Sequence, residues 1–128
     1  MRRSRLLAVT IGVGVLVPLG APRTIQADPP LAETQSRECK VTETSVHPGG
    51  RVQVKCSPVW VNPVTGATAH YFAADASSEA AGQVITIGVA AQVNNMKVRI
   101  KFRASSTDNP NGCDTGDCRK LVSIALLN

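Results

Sequence analysis

Two cysteines late in the chain close over a short acidic stretch, CDTGDC (Cys113–Cys118). Asp-Thr-Gly is the triplet that carries the catalytic carboxylate of aspartic proteases, where two carboxylates share one proton across a symmetric cleft. Only one such triplet occurs, Asp114-Thr-Gly116, so a protease dyad would require a second copy of the chain. Asp108, Asp114 and Asp117 among Asn and Gly also suggest a calcium loop. The regular template asks for Asp or Asn at the third and fifth positions, Gly at the sixth and Glu at the twelfth. Counted from Asp108, Pro110 and Gly112 stand at the third and fifth, so the template fails. An irregular calcium loop remains open, beside a solvated turn made of the residues that turns prefer.

His47 and His70 are the remaining side chains suited to acid–base work. A small secreted hydrolase would need a nucleophile beside one of them. The chain has no Gly-x-Ser-x-Gly motif, and its cysteines are better read as paired. No enzymatic activity and no cofactor follow from these residues. Four cysteines would also suit zinc, but structural zinc sites use Cys-x2-Cys pairs, and neither close pair has that spacing.

The strongest surface feature is Met96-Lys-Val-Arg-Ile-Lys-Phe-Arg103. It alternates with period two, as a half-buried strand does. Met96, Val98, Ile100 and Phe102 point one way, and Lys97, Arg99, Lys101 and Arg103 point the other. The basic face suits an acidic glycan, lipopolysaccharide phosphates or an acidic protein, and Arg51 and Lys55 are candidates to join it. Its alternative role is to discourage edge-to-edge aggregation, a common use of lysine on exposed strands. Single-stranded nucleic acid is excluded as a partner, because it needs aromatic rings to stack its bases and the outward positions offer almost none. Trp60 and Tyr71 have two readings: a small sugar-stacking platform, or the closure of one end of a core.

These residues belong to an exported chain. Met1–Arg5 is cationic, and Leu6–Gly20 is apolar but shorter than the roughly 20 residues of a membrane span. Small residues follow, so residues 1–27 form a signal peptide, with cleavage expected after Ala27 and Ala21 as the second choice. The chain then meets a membrane only through this segment and ends in the periplasm or outside the cell. Arg2, Arg3, Arg5 and Arg23 leave with it, and the formal charge falls from +5 to about +1. The basic balance is therefore export machinery and gives no argument for nucleic acid.

All four cysteines lie in the exported part, an even count that implies two disulfides. Of the three connectivities, spacing favours Cys39–Cys56 with Cys113–Cys118. Each would contribute on the order of 2–3 kcal/mol to a domain whose only aromatics are Trp60, Tyr71, Phe72 and Phe102.

The elements that position these groups follow from pattern and turn chemistry. Residues 28–37 form a loose polar tail, and residues 38–128 one domain. Strands are expected over 39–46, 51–55, 69–74, 96–103 and 120–127, with Pro48-Gly49 at the tip of the first hairpin. Such a tip leaves Cys39 and Cys56 about two positions out of register, a gap that a bulge or a three-residue tip would close. A helix from Ser78 to about Val93 is expected to bury Val84, Ile87, Gly88 and Ala91, with a strand the alternative because Val84-Ile-Thr-Ile87 has high β propensity. Asp75 or Ser77 is expected to cap it, and Asn94-Asn95 to end it.

The order β-β-β-α-β-β predicts an α+β, mainly β domain: a five-stranded OB-like barrel with one helix and two disulfides. An early cysteine pair, CSPVW (Cys56–Trp60), an Ala-rich helix, VRIKF (Val98–Phe102) and a late close cysteine pair follow one another. In this the chain resembles the B subunits of secreted bacterial AB5-type toxins, the subtilase cytotoxin type in particular. It departs from them in lacking tyrosines on the strand after the helix, and in placing a strand after the late cysteine pair. The resemblance implies an OB-fold, glycan binding, assembly into a homo-oligomer and a separate catalytic partner chain. The reading of the residues themselves is a small exported, non-catalytic binding protein whose ligand the sequence does not specify.

Overall fold

The computed structural model describes residues 33–128; the expected signal peptide and residues 28–32 of the expected tail lie outside the described residues. The chain runs β1 (Thr34–His47), β2 (Arg51–Val61), β3 (Thr68–Asp75), α1 (Glu79–Val93), β4 (Lys97–Arg103) and β5 (Cys118–Leu126). The strands close into a barrel in the order β1-β2-β3-β5-β4, so the expected OB-like architecture is the one observed. A short parallel ladder from Tyr71↔Cys118 to Ala73↔Lys120 joins β3 to β5, and the other ladders are antiparallel.

β1 is longer than its β-branched run suggests. Thr34–Lys40 pairs with β4, and Lys40–His47 pairs with β2. The last residues of the expected tail, Thr34–Arg37, are therefore sheet, because they satisfy the backbone of Ile100–Arg103. β2 likewise runs past Pro58 to Val61. Its ladder with β3 breaks between Lys55 and Trp60, where a proline that has no N–H to donate is tolerated. β5 starts at Cys118, two residues before the expected Lys120, and β4 starts at Lys97 after a half-buried Met96.

The first hairpin turns through Pro48, Gly49 and Gly50, between the paired His47 and Arg51. Gly50 has φ +88°, a conformation open to glycine, and its N–H donates to the His47 carbonyl at 3.1 Å. Further along, the register slips at Thr42, a bulge that sets Val41 opposite Cys56. Cys39 reaches Cys56 diagonally, with Cα atoms 5.5 Å apart, and the disulfide is formed.

The barrel interior holds Val54, Phe72, Val84, Val98, Ile100, Phe102 and Leu121, with at most 2 % of each exposed. Phe102 stands edge-on to both Trp60 (5.0 Å) and Phe72 (4.8 Å), so three of the four aromatics form one stack. α1 touches all five strands and therefore lies across an end of the barrel. Ala81, Val84, Gly88 and Ala91 are its buried positions, and Ile87 packs against the core half-buried. Ser78 occupies the N-cap position in place of Asp75 or Ser77, and its hydroxyl donates back to the Asp75 carbonyl at 2.6 Å. Asn94 ends the helix through its N–H and side-chain amide on the Ala90 carbonyl, and Asn95 follows with φ +54°.

Gly88 marks where helix and sheet approach most closely. A Cβ there would meet Thr44 Oγ1 at 2.8 Å and Val54 Cγ1 at 2.9 Å, whereas a Cβ on Gly82 meets nothing within 4 Å. Gly88→Ala should therefore destabilise the protein by about 1–3 kcal/mol through overpacking, in spite of the helix propensity it gains. Gly82→Ala should stabilise by up to about 1 kcal/mol. Urea denaturation of the two variants checks the contrast, and equal shifts for both would contradict this packing.

Candidate functional site

Cys113 and Cys118 are joined, and the aspartates around them serve the loop. Asp114 Oδ1 accepts from the Gly116 N–H at 2.8 Å, as in an Asx turn. Asp117 Oδ1 takes two bonds from His70, one from its backbone N–H (2.9 Å) and one from ring Nδ1 (2.7 Å). Asp108 lies 3.7 Å from Arg103 Nε, close enough for charge attraction but too far for a hydrogen bond. Each carboxylate thus answers to a different group. Among the described residues no three His, Cys, Asp or Glu side chains gather.

The pair His70–Asp117 is half of a hydrolytic triad by composition. The other half, a hydroxyl bonded to Nε2, is not among the hydrogen bonds of the described residues. His47 is distant in the fold, at the hairpin tip, with Nε2 3.3 Å from Ser45 Oγ. Sequence spacing gives no hint of the His70–Asp117 contact. It arises because the parallel ladder sets Tyr71 opposite Cys118 and so brings their preceding residues together.

The late loop also covers part of the barrel's outer surface. Cys113, Cys118 and Ala73 form a second small cluster, with Tyr71 packed against it. Gln53 points outward by alternation, yet only 7 % of it is exposed. Arg51 reaches over it, with Nε on Gln53 Oε1 (2.9 Å) and Nη1 on the Asn111 carbonyl (3.2 Å). Lys55 lies 5.5 Å from the Tyr71 ring centroid. Arg51 and Lys55 are thereby engaged on β2 and do not extend the stripe on β4. Trp60 and Tyr71 are likewise kept apart, since Trp60 packs on Phe102 inside the barrel and Tyr71 on the outer cluster. They form no shared platform.

The stripe itself is outward-facing. Lys97, Arg99 and Lys101 are exposed, and Arg103 is half-buried. Arg99 pairs with Glu38 at 2.9 Å. Lys97 and Lys101 have no ion pair among the described residues, and the β1–β4 register sets an exposed Lys40 directly opposite Lys97. Like charges directly opposite one another weaken a sheet, so Lys40 and Lys97 are not placed there for stability. A cavity of about 550 Å³ opens beside them, lined by Glu38, Lys97, Arg99 and Asn128.

Arg119 is the charged residue that the strand patterns do not flag. It is 4 % exposed, and all its protein hydrogen bonds go to carbonyls: Nε to Ala104 (3.0 Å), Nη1 to Thr115 (2.8 Å) and Cys118 (2.7 Å). Its guanidinium stands 5.9 Å from the Trp60 ring centroid. Burial pulls its pKa below the ordinary value, and the nearby Asp117 charge pulls the other way. Arg119 also borders a cavity of about 570 Å³, with Glu33, Thr65, Ser105 and Thr107 on its walls. The available signal was parity: once β5 begins at Cys118, Arg119 and the buried Leu121 share a face.

Fold and site together define a class: a disulfide-stapled, five-stranded OB-like barrel with a basic outer strand. No family model, curated protein or solved structure matches the chain.

The His70–Asp117 contact ties β3 to the late loop. Asp117→Ala should cost about 1 kcal/mol, the low end for lost hydrogen bonds, because both side chains are part-exposed. Thermal or urea unfolding measures it. An unchanged midpoint would show that the disulfide alone holds the loop.

Proposed function

We propose that the protein is a non-catalytic binding protein of the periplasm or extracellular space, which holds an acidic glycan or acidic protein partner on its basic strand. The carrying observation is that β4 is paired along both sides, with β1 and with β5. A strand with no open edge needs no lysines to guard it against edge pairing. That removes the aggregation-guarding role as the reason for Lys97 and Lys101. Lys40 adds a third unneutralised charge, held against repulsion. Two disulfides are compatible with an oxidising compartment, and the signal peptide read from the sequence accounts for delivery there.

A second reading has one observation in its favour. Ile85, Val89 and Val93 are exposed on α1 at four-residue intervals, with 77 % of Val93 accessible. Such an apolar stripe suits self-association, as the resemblance to toxin B subunits implies for a glycan-binding oligomer. The two readings differ in assembly, and light scattering separates them, a ring of subunits favouring the second and a monomer the first.

The basic-strand reading predicts that Lys97→Glu combined with Lys101→Glu weakens binding to a sulfated polysaccharide by tenfold or more at low salt. It also predicts a shallower salt dependence for the variant, since surface charges are screened over about 8–10 Å at physiological ionic strength. Affinity chromatography on immobilised heparin measures both. Elution of the variant and the parent at the same salt would reject the strand as the site.

A further inference from the structure

We propose that the cavity beside Arg119 is a second binding site, separate from the lysine face, for a small carboxylate anion that carries hydroxyl groups. Arg119 is a buried charge that no carboxylate hydrogen-bonds, with Asp117 acting on it only from a distance. It is 4 % exposed, and three carbonyls take its Nε and Nη1 hydrogens. Nη2 has no acceptor among the described residues, and it is not one of their fully buried unpartnered atoms. A buried guanidinium is ordinarily paired with an anion. Here the fold fixes two nitrogens and leaves the third without a protein acceptor, in a residue that lines the cavity. A planar guanidinium held in this way suits a carboxylate, whose geometry matches its fork of donors.

Other residues lining the same cavity have the opposite polarity. Ser105 Oγ donates to Glu33 Oε1 at 2.8 Å and lies 3.0 Å from Thr107 Oγ1. A serine hydroxyl has one hydrogen. With that hydrogen given to Glu33, the Thr107 hydroxyl donates to Ser105. Both hydrogens are then spent, and these residues offer lone pairs on Thr107 and Glu33, which accept from the hydroxyl groups of a ligand. Glu33 also sets the charge selectivity, because its carboxylate in the same cavity penalises a dianion more than a monoanion. Val64, Ala67 and Ala104, which also line the cavity, give the carbon skeleton an apolar surface.

The site is built on fixed parts. Asn62 is 8 % exposed, and its Oδ1 accepts from the N–H groups of Val64 (2.9 Å) and Thr65 (3.2 Å), which sets the turn at the rim. Arg119 itself ties Ala104 and Thr115 to β5. At about 570 Å³ the cavity lies in the size range of small-ligand sites, roughly 300–1,000 Å³.

The test is an NMR titration of the full disulfide-bonded protein, following the Arg119 Nε–Hε resonance. The probes are glucuronate, glucose and inorganic phosphate at constant ionic strength. Glucuronate should shift that resonance saturably, glucose should leave it unmoved, and phosphate should bind more weakly than glucuronate. Arg119→Lys should weaken glucuronate by about tenfold or more, and Thr107→Val should weaken it severalfold. Should Arg119→Lys fail to fold, Thr107→Val at an exposed position carries the test alone. The Lys97→Glu, Lys101→Glu variant should bind glucuronate as the parent does, which separates this site from the basic strand. No saturable shift, equal binding of glucose, tighter binding of phosphate, or an unaffected Thr107→Val would each overturn the proposal.

Discussion

The structure depends on one strand having two partners. β1 gives its first half to β4 and its second to β2, and only in this way does the sheet close. A flat strand cannot serve two neighbours that lie on different sides of a barrel. The bulge at Thr42 and the diagonal Cys39–Cys56 bond lie at the changeover, where the chain must bend. Closure in turn fixes the interior, because Phe72, Phe102 and Trp60 meet only when β2, β3 and β4 surround one axis. It also lays α1 across an end of the barrel, against Thr44 and Val54 at Gly88.

The stretch after β4 completes this frame from outside. CDTGDC has the composition of a reaction centre, yet its aspartates bond to a turn N–H and to His70. Its disulfide joins a cluster with Ala73 on the outer side of β3. The loop covers Gln53, and through Arg119 it is anchored to the strand that follows. One outer face of the barrel is thereby occupied, while β4 keeps its side chains open to solvent.

Much of this was legible where local pattern and burial coincide. The alternation in Lys97–Arg103 located a strand and its two faces, and Val84, Gly88 and Ala91 located the buried side of a helix. The cysteine pairs followed from spacing. What escaped the sequence is non-local. Thr34–Arg37 look like tail because their residues are polar, and they are strand because β4 requires a neighbour. Gln53 follows the alternation, and a loop more than fifty residues away covers it. Arg119 reads as one more surface cation next to Lys120 until the strand is known to start two residues earlier, at Cys118. His70 and Asp117 meet only through a parallel pairing across the helix. For the site, the basic residues were visible, but their neutralisation was not: Glu38 and Asp108 silence half the stripe, and Lys40 supplies a charge from another strand.

The disulfide at Cys39 has a bearing on chemistry outside the core. Lys40 follows Cys39 directly, and Cys39 stands opposite Val98 in the same ladder that sets Lys40 against Lys97. The sulfur bridge ties β1 to β2 one residue from Lys40, and the β1–β4 ladder sets Lys40 against Lys97. A covalent staple on one ladder of β1 thus stands one residue from the like-charged pair on its other ladder.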